Sequence, residues 1–242
     1  MTPTPYPPNP PYPSATPDRS DLPILRLLTA AFVSLIGLFS VGLLQGSAPE
    51  AATGTRPSAS VARVAVYIPA PPGRHVVIAP LGTFPADTVQ SLVDFYRQKY
   101  GLEITVLSNT PIDPSARDVG RDQLVAEELI ESIRFSHPAV TNDPDAVVIG
   151  LVTEDVYTRT RTDWDWSFGV RADGRFAVVS TARMSAEFLA RREDRERTRL
   201  RKMVTRDIGV LYYGMSLNDD PRSVLYGRLL SVEDLDSISE DF

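Results

Sequence analysis

Residues 27–44, LLTAAFVSLIGLFSVGLL, are 18 uncharged and mostly apolar residues, and no other feature constrains the organisation of the chain as strongly. At 1.5 Å per residue, such a run crosses most of a roughly 30 Å hydrocarbon core, so it reads as one transmembrane helix within 22–45. A cleaved signal peptide is the alternative, because residues 45–52 are rich in small side chains; the long, mildly basic front region speaks against it. A lipoprotein anchor is excluded, since the chain has no cysteine. Arg19 and Arg26 precede the run and Arg56 and Arg63 follow it. A short tail inside, with the folded domain extracytoplasmic on a single-pass membrane protein, is the expected arrangement.

The run also separates regions that cannot fold from one that can. Residues 1–21 form a Pro-rich tail, with eight prolines among the first 17 positions. Such a composition cannot bury a core and is expected to stay extended, as a spacer in preference to a ligand for a proline-reading partner. The Ala, Ser, Thr, Pro and Gly of 46–60 read as a flexible linker. Residues 61–242 are then long enough for one hydrophobic core. The net charge of -6 excludes a general nucleic-acid binder, which needs concentrated Lys and Arg. One basic cluster stands out, RREDRERTRLRK at 191–202. Its interleaved acids make it read as a solvated helix face with i,i+4 pairs, and only weakly as a lipid or partner patch.

Local patterns supply an order of elements. Residues 61–68 alternate and suggest a strand, and 76–80 a buried one. Val89, Leu92, Val93 and Tyr96 recur at the helical period, predicting a helix over 86–100 that Gly101 caps. Residues 103–107 read as a strand, 121–135 as a helix, and 146–151, 166–171 and 176–180 as strands. A last long helix is expected over 186–213. This alternation predicts an α/β class with helices packed on a mixed sheet. Trp164 and Trp166 alternate with Asp163 and Asp165, which points both rings to one face and predicts that one of them packs on the sheet.

Most catalytic chemistries lack their residues. There is no Gly-rich phosphate loop, no GxSxG elbow and no Cys/His pair. His75 and His137 are the only histidines, so a three-histidine metal site is arithmetically impossible. Asn218, Asp219 and Asp220 are the nearest approach to a carboxylate cluster, and before Pro221 they read as a polar turn. Ser180 and Thr181 are hydroxyls that read as ordinary strand residues.

The stretch 206–226, RDIGVLYYGMSLNDDPRSVLY, resembles the active-site helix and following turn of the archaemetzincins, with a second likeness to the matrixin-like metzincins. Their shared signature is HExxHxxGxxH followed by a turn carrying Ser-Val-Met-Tyr. The resemblance continues through 75–82 (HVVIAPLG), 100–113 (YGLEITVLSNTPID), 121–129 (RDQLVAEEL), 145–158 (DAVVIGLVTEDVYT), 175–184 (RFAVVSTARM) and 231–238 (SVEDLDSI), so it spans about 61–242. It implies a zincin fold in which the strand holding Ser180 is an edge that lines the substrate cleft. It also places Arg206 at the first zinc histidine, Asp207 at the glutamate, Val210 at the second histidine and Ser216 at the third ligand. Tyr213 takes the position of the signature glycine, and Gly214 follows. Ser223, Val224, Leu225 and Tyr226 occupy the turn, with Leu225 where the family has methionine.

Two histidines one helical turn apart point at one ion, and the ion makes the nucleophile by acidifying bound water. Val210 offers no donor, Arg206 repels a cation, and Asp207 is one methylene short. No metal or other cofactor is therefore expected, and Tyr212, Tyr213 and Tyr226 are expected to fill the vacated volume. The implied function is that of a membrane-anchored pseudopeptidase that binds or scaffolds a protein or peptide partner. Two alternatives stay open: a hydrolase rebuilt around Asp207, Asp219, Asp220 and a hydroxyl, and a structural module of an envelope complex.

Overall fold

A computed structural model of the chain describes residues 69–185 and 192–242. The Pro-rich tail, the apolar run, the linker and the strand expected at 61–68 lie outside the described residues, as does the start of the last helix at 186–191. Among the described residues, no helix is long and apolar enough to cross a membrane.

The core is a five-stranded sheet. Strand β1 (His75–Pro80) lies between β2 (Ile104–Val106) and β5 (Ala146–Val152), and β8 (Phe176–Ser180) lies between β5 and β7 (Gly169–Ala172). All pairings are parallel except that of β7 with β8. Strand β5 is buried along its entire length, as a central parallel strand covered on both faces must be. A second sheet of three very short strands, β3 (Arg117–Asp118), β4 (Gln123–Val125) and β6 (Val156–Tyr157), extends the body.

Helices cover both faces. On one lie α1 (Ala86–Tyr100), α4 (Arg192–Asp207) and α5 (Val232–Ser237), and on the other α2 (Ala126–Ser136) with the single turn α3 (Pro138–Thr141). The alternation of β1 makes this possible: Val76 and Ile78 face α1 and α4, while Val77 and Ala79 face α2. The four apolar residues that predicted α1 are the four it buries. Gly101 ends that helix at φ 61°, donating its N–H to Arg97 O. Tyr96 pins α1 to α4, its hydroxyl donating to Arg201 O at 3.0 Å beside Thr205 Oγ1 at 2.9 Å. Burial pushes the Tyr96 phenol up, so it remains a neutral donor.

Several boundaries depart from expectation for tertiary reasons. The helix expected from 121 begins at Ala126, because residues 123–125 are taken as β4 by parallel pairing with β6. The strand expected over 166–171 is Gly169–Ala172. The strand of Ser180 is not an edge: β8 lies between β5 and β7, and β7 is the outer strand. The basic cluster is only partly solvated. Arg199 and Lys202 are 4% and 7% exposed, because they face the α5 segment. Arg199 grips the Asp236 carboxylate with Nε and Nη2 at 2.8 and 2.7 Å, and Lys202 Nζ donates to Leu235 O and Asp236 O.

Candidate functional site

The end of α4 is where the metal signature would fall, and its local geometry departs from a plain helix. After Asp207 the chain winds into one π-helical turn, Ile208–Tyr212. Gly214 then stops the helix at φ 69°, with Met215 N–H reaching back to Gly209 O at 2.9 Å. A π-turn takes up one more residue than an α-turn. This accounts for a helix-stop glycine at 214 where the signature spacing calls for 213. The free carbonyls of the turn are not left bare: Arg74 Nη1 donates to Leu211 O at 2.7 Å and Tyr212 O at 3.2 Å.

Three charged side chains meet at this level. Arg206 is 5% exposed and directs Nη1 to Val224 O and Tyr226 O, the main chain of the following turn. Asp207 is 1% exposed and accepts from Arg171 Nη1 at 2.8 Å, while its Oδ2 is buried with no partner among the described residues. Arg171 comes from β7 and lies 28% exposed. Burial raises the pKa of Asp207, with Arg171 and Arg206 opposing the shift. Burial, followed by the field of Arg171, lowers that of Arg206 to about 10. Both guanidiniums lie in the field of this one carboxylate, but only Arg171 contacts it, and Arg206 is held by the carbonyls of the turn.

The turn itself is an ordered scaffold. Asn218 N–H donates to Leu225 O and Gly227 N–H to Asn218 O, at 2.9 and 2.8 Å. Ser223 Oγ accepts from Leu225 N–H and from Asn218 Nδ2, and Asp220 Oδ1 accepts from Arg222 N–H. Val224 and Leu225 are buried, and Tyr226 packs partly against the same core. Gly209 is required beneath it: a Cβ there would stand 2.6 Å from Phe242 Cε1 and 2.9 Å from Leu225 Cδ2.

The residues at the signature positions do not fit zinc. Of the residues that the resemblance assigns to the ligands, Arg206 is already engaged by carbonyls, Val210 has no donor, and Ser216 is exposed on the loop. Among the described residues, no group of three or more His, Cys, Asp or Glu is arranged to hold a metal ion. Asp219 and Asp220 are exposed in the turn, whereas Asp207 is buried on the helix.

Of the three tyrosines expected to fill the vacated volume, Tyr212 lies in the core and Tyr213 and Tyr226 pack partly against it. Tyr212 is buried and stacks edge-on with Tyr213, which meets Phe242 at 5.5 Å, and Phe242 in turn meets Tyr100. They extend the core, but the group that engages the turn at the first ligand position is the Arg206 guanidinium. Ser180 Oγ donates to Glu154 O at 2.6 Å, and His137 Nε2 lies 2.8 Å from Thr110 Oγ1. Both hold loops, as does His75, 3.8 Å from Asp143 at the start of β1. Trp166 packs on Phe168 and the core, and Arg161 lies over Trp164. The pairing of Arg171 with Asp207 was not foreseen; its signal in the sequence is an arginine alternating with Gly169 beside the apolar strand 176–179.

No family model matches the chain. An archaemetzincin from Natronomonas pharaonis is 32% identical over 111 residues, which are 46% of this chain and 59% of that protein; the match thus spans less than two thirds of the relative. Three solved structures share the architecture. An archaemetzincin from Archaeoglobus fulgidus, complexed with malonate, matches at a TM-score of 0.54 and 20% identity over 69% of this chain and 94% of its own. A zinc-dependent peptidase from Methanocorpusculum labreanum matches at 0.58 and 16% over 69% and 95%. An archaemetzincin from Methanopyrus kandleri matches at 0.53 and 23% over 71% and 91%. The fold of this chain is archaemetzincin-like.

Proposed function

We propose that this archaemetzincin-like domain is a pseudopeptidase: it keeps the zincin scaffold, lacks the zinc chemistry, and acts by binding a protein or peptide partner. The observation that carries this reading is the engagement of Arg206. Its guanidinium is fixed by two carbonyls of the turn, at the position that the resemblance assigns to the first zinc histidine. Burying a cation where a divalent ion would sit opposes metal binding by direct repulsion, and Asp207 is committed to Arg171 rather than available as a general base. Anchoring through residues 27–44, with the domain extracytoplasmic, is part of the proposal and is supported by the length and apolarity of that run.

The rebuilt-hydrolase alternative is less well supported, because burial separates Asp207 from the exposed Asp219 and Asp220. The test is hydrolysis of a quenched fluorescent peptide library by the purified full chain, with zinc added and with chelator as control. No cleavage above the chelated control is expected. Cleavage that the chelator abolishes and zinc restores would rule the reading out.

A further inference from the structure

On the face of the sheet opposite α4, helix α2 and residues 111–115 border a groove of about 470 Å³. Its α2 wall is the stripe Glu128, Glu131, Ser132, Phe135 and Ser136, spaced to share one side of a helix. Its other wall is fixed by its own sequence. Pro111 and Pro114 set φ at two of its positions, and Ala116 N–H donates to Asp113 O at 2.9 Å. His137 Nε2, 2.8 Å from Thr110 Oγ1, ties the end of α2 to the start of this wall. Walls held in place before binding have little freedom left to lose on binding.

Two independent features define what such a groove takes. The first is the Phe135 ring, 90% exposed on α2. Elsewhere the aromatic faces carry a guanidinium: Arg121 lies over Tyr157, Arg161 over Trp164, Arg183 over Trp166 and Arg201 over Phe95, between 4.3 and 4.9 Å from the ring centroids. Phe135 has neither a cation nor another ring over it among the described residues. The second feature is charge. Asp113, Glu128 and Glu131 line the groove, and no Lys or Arg does. Glu128 pairs with Arg159 and Glu131 with Arg134, both outside the lining. Arg134 is shared with Asp173, and Asp113 has no ion pair among the described residues. These four carboxylates therefore face only two guanidiniums. The Ser115 hydrogen bonds hold the Asp113 carboxyl below the usual range, so it stays anionic. An excess of carboxylate around an apolar groove selects a cation with an apolar flank.

We propose that this groove docks a segment of a partner protein in which an arginine is flanked by apolar residues. The guanidinium lies on the Phe135 ring among Asp113, Glu128 and Glu131, and an apolar neighbour rests on Pro111, Ile112 and Pro114. Arginine fits better than lysine, because a planar guanidinium stacks on a ring and offers paired donors to carboxylates at once. The groove is on the other face of the sheet from Arg206 and the turn, so the inference stands whether or not the domain cleaves peptides.

The full chain in an uncharged detergent is titrated calorimetrically with the blocked peptide Ala-Leu-Arg-Leu-Ala and with its lysine and glutamine counterparts. The arginine peptide is expected to bind, its lysine counterpart several-fold more weakly, and its glutamine counterpart at least about tenfold more weakly. Phe135→Ala, which leaves every charge in place, should weaken the arginine peptide at least about fivefold. Asp113→Asn with Glu131→Gln should weaken it and remove most of its salt dependence. Asparagine at 113 keeps the acceptor for Ser115, and both variants should unfold in urea as the wild type does. Removing two carboxylates elsewhere, by Asp219→Asn with Asp220→Asn, should leave binding unchanged. No saturable binding at millimolar peptide, equal binding of the glutamine counterpart, an unchanged affinity in Phe135→Ala, or an equal loss in the Asp219 and Asp220 variant would each overturn the proposal. Equal affinity for ethylguanidinium would show a site for small cations and overturn the docking of a segment.

Discussion

Helix α4 carries two clusters of buried charge one turn apart, and they are built differently. At Arg199 and Lys202 every group is matched: Arg199 forms a two-point contact with Asp236 and donates to Met184 O, and Lys202 ends on two carbonyls at the close of α5. At Arg206 and Asp207 the match fails: Arg171 alone pairs with the carboxylate, and Asp207 Oδ2 has no partner among the described residues. The first cluster docks α5. The second ties the turn to α4 through Arg206 yet leaves a buried carboxylate oxygen unpaired, a departure from full pairing of the kind found at functional sites. Both use arginine, so the difference lies in the stoichiometry and geometry of the partners and not in residue type.

That contrast can be broken by mutation. The largest effect is expected for Asp207→Ala, which takes from Arg171 its carboxylate and from buried Arg206 its nearby countercharge, and should cost about 3–5 kcal/mol in urea unfolding. Arg199→Met strands only the partly exposed Asp236 and should cost about 1–3 kcal/mol. Replacing Arg171, Arg206 and Asp207 together by Met, Met and Leu should recover most of what Asp207→Ala loses, since apolar groups of similar volume do as well as a buried ionic cluster. If the triple variant is less stable than Asp207→Ala, the cluster is a stability device and the contrast is wrong. Next in size is Gly209→Ala, whose Cβ would press on Phe242 and Leu225 and should cost about 1–3 kcal/mol by the same measurement.

The smallest effect separates the clusters by the sign of their pH dependence. Burial raises the pKa of Asp207, so its contribution is fully present below the unfolded-state pKa of about 4 and is lost as pH rises through the higher folded value. The Arg199 hydrogen bonds hold the Asp236 carboxyl below the usual range, so its contribution is present above about 4 and is lost as pH falls through the lower folded value. The stability difference between wild type and Asp207→Asn should therefore decline with rising pH, and that between wild type and Asp236→Asn should grow. Slopes of the same sign would dissolve the distinction.

How far the sequence alone reached follows the same division. The periodicity of Val89, Leu92, Val93 and Tyr96 and the apolar runs of β1, β5 and β8 are local signals of burial, and they located those elements. Strand β4 was hidden, because three residues owe their conformation to pairing with Val156 and Tyr157 more than thirty positions away. Arg199 and Lys202 read as solvated because acids are interleaved in the cluster 191–202 that holds them. Yet with Arg206 they recur at i, i+3 and i+7, the stripe adjoining Leu200, Met203 and Val204, and that spacing carries the burial signal. The substitutions at the signature positions were legible, whereas the pairing of Arg171 with Asp207 is a contact across 36 positions that no local pattern encodes.

The central claim is that an arginine-centred ionic cluster stands in for the metal, and the most direct test is zinc stoichiometry. The full chain, purified with zinc present and then desalted, is analysed for metal beside a variant combining Arg206→His, Asp207→Glu, Val210→His and Ser216→His. The account predicts well under one zinc per wild-type chain, and no change in wild-type metal content on treatment with chelator. One tightly held zinc per wild-type chain would contradict it, whatever the variant binds.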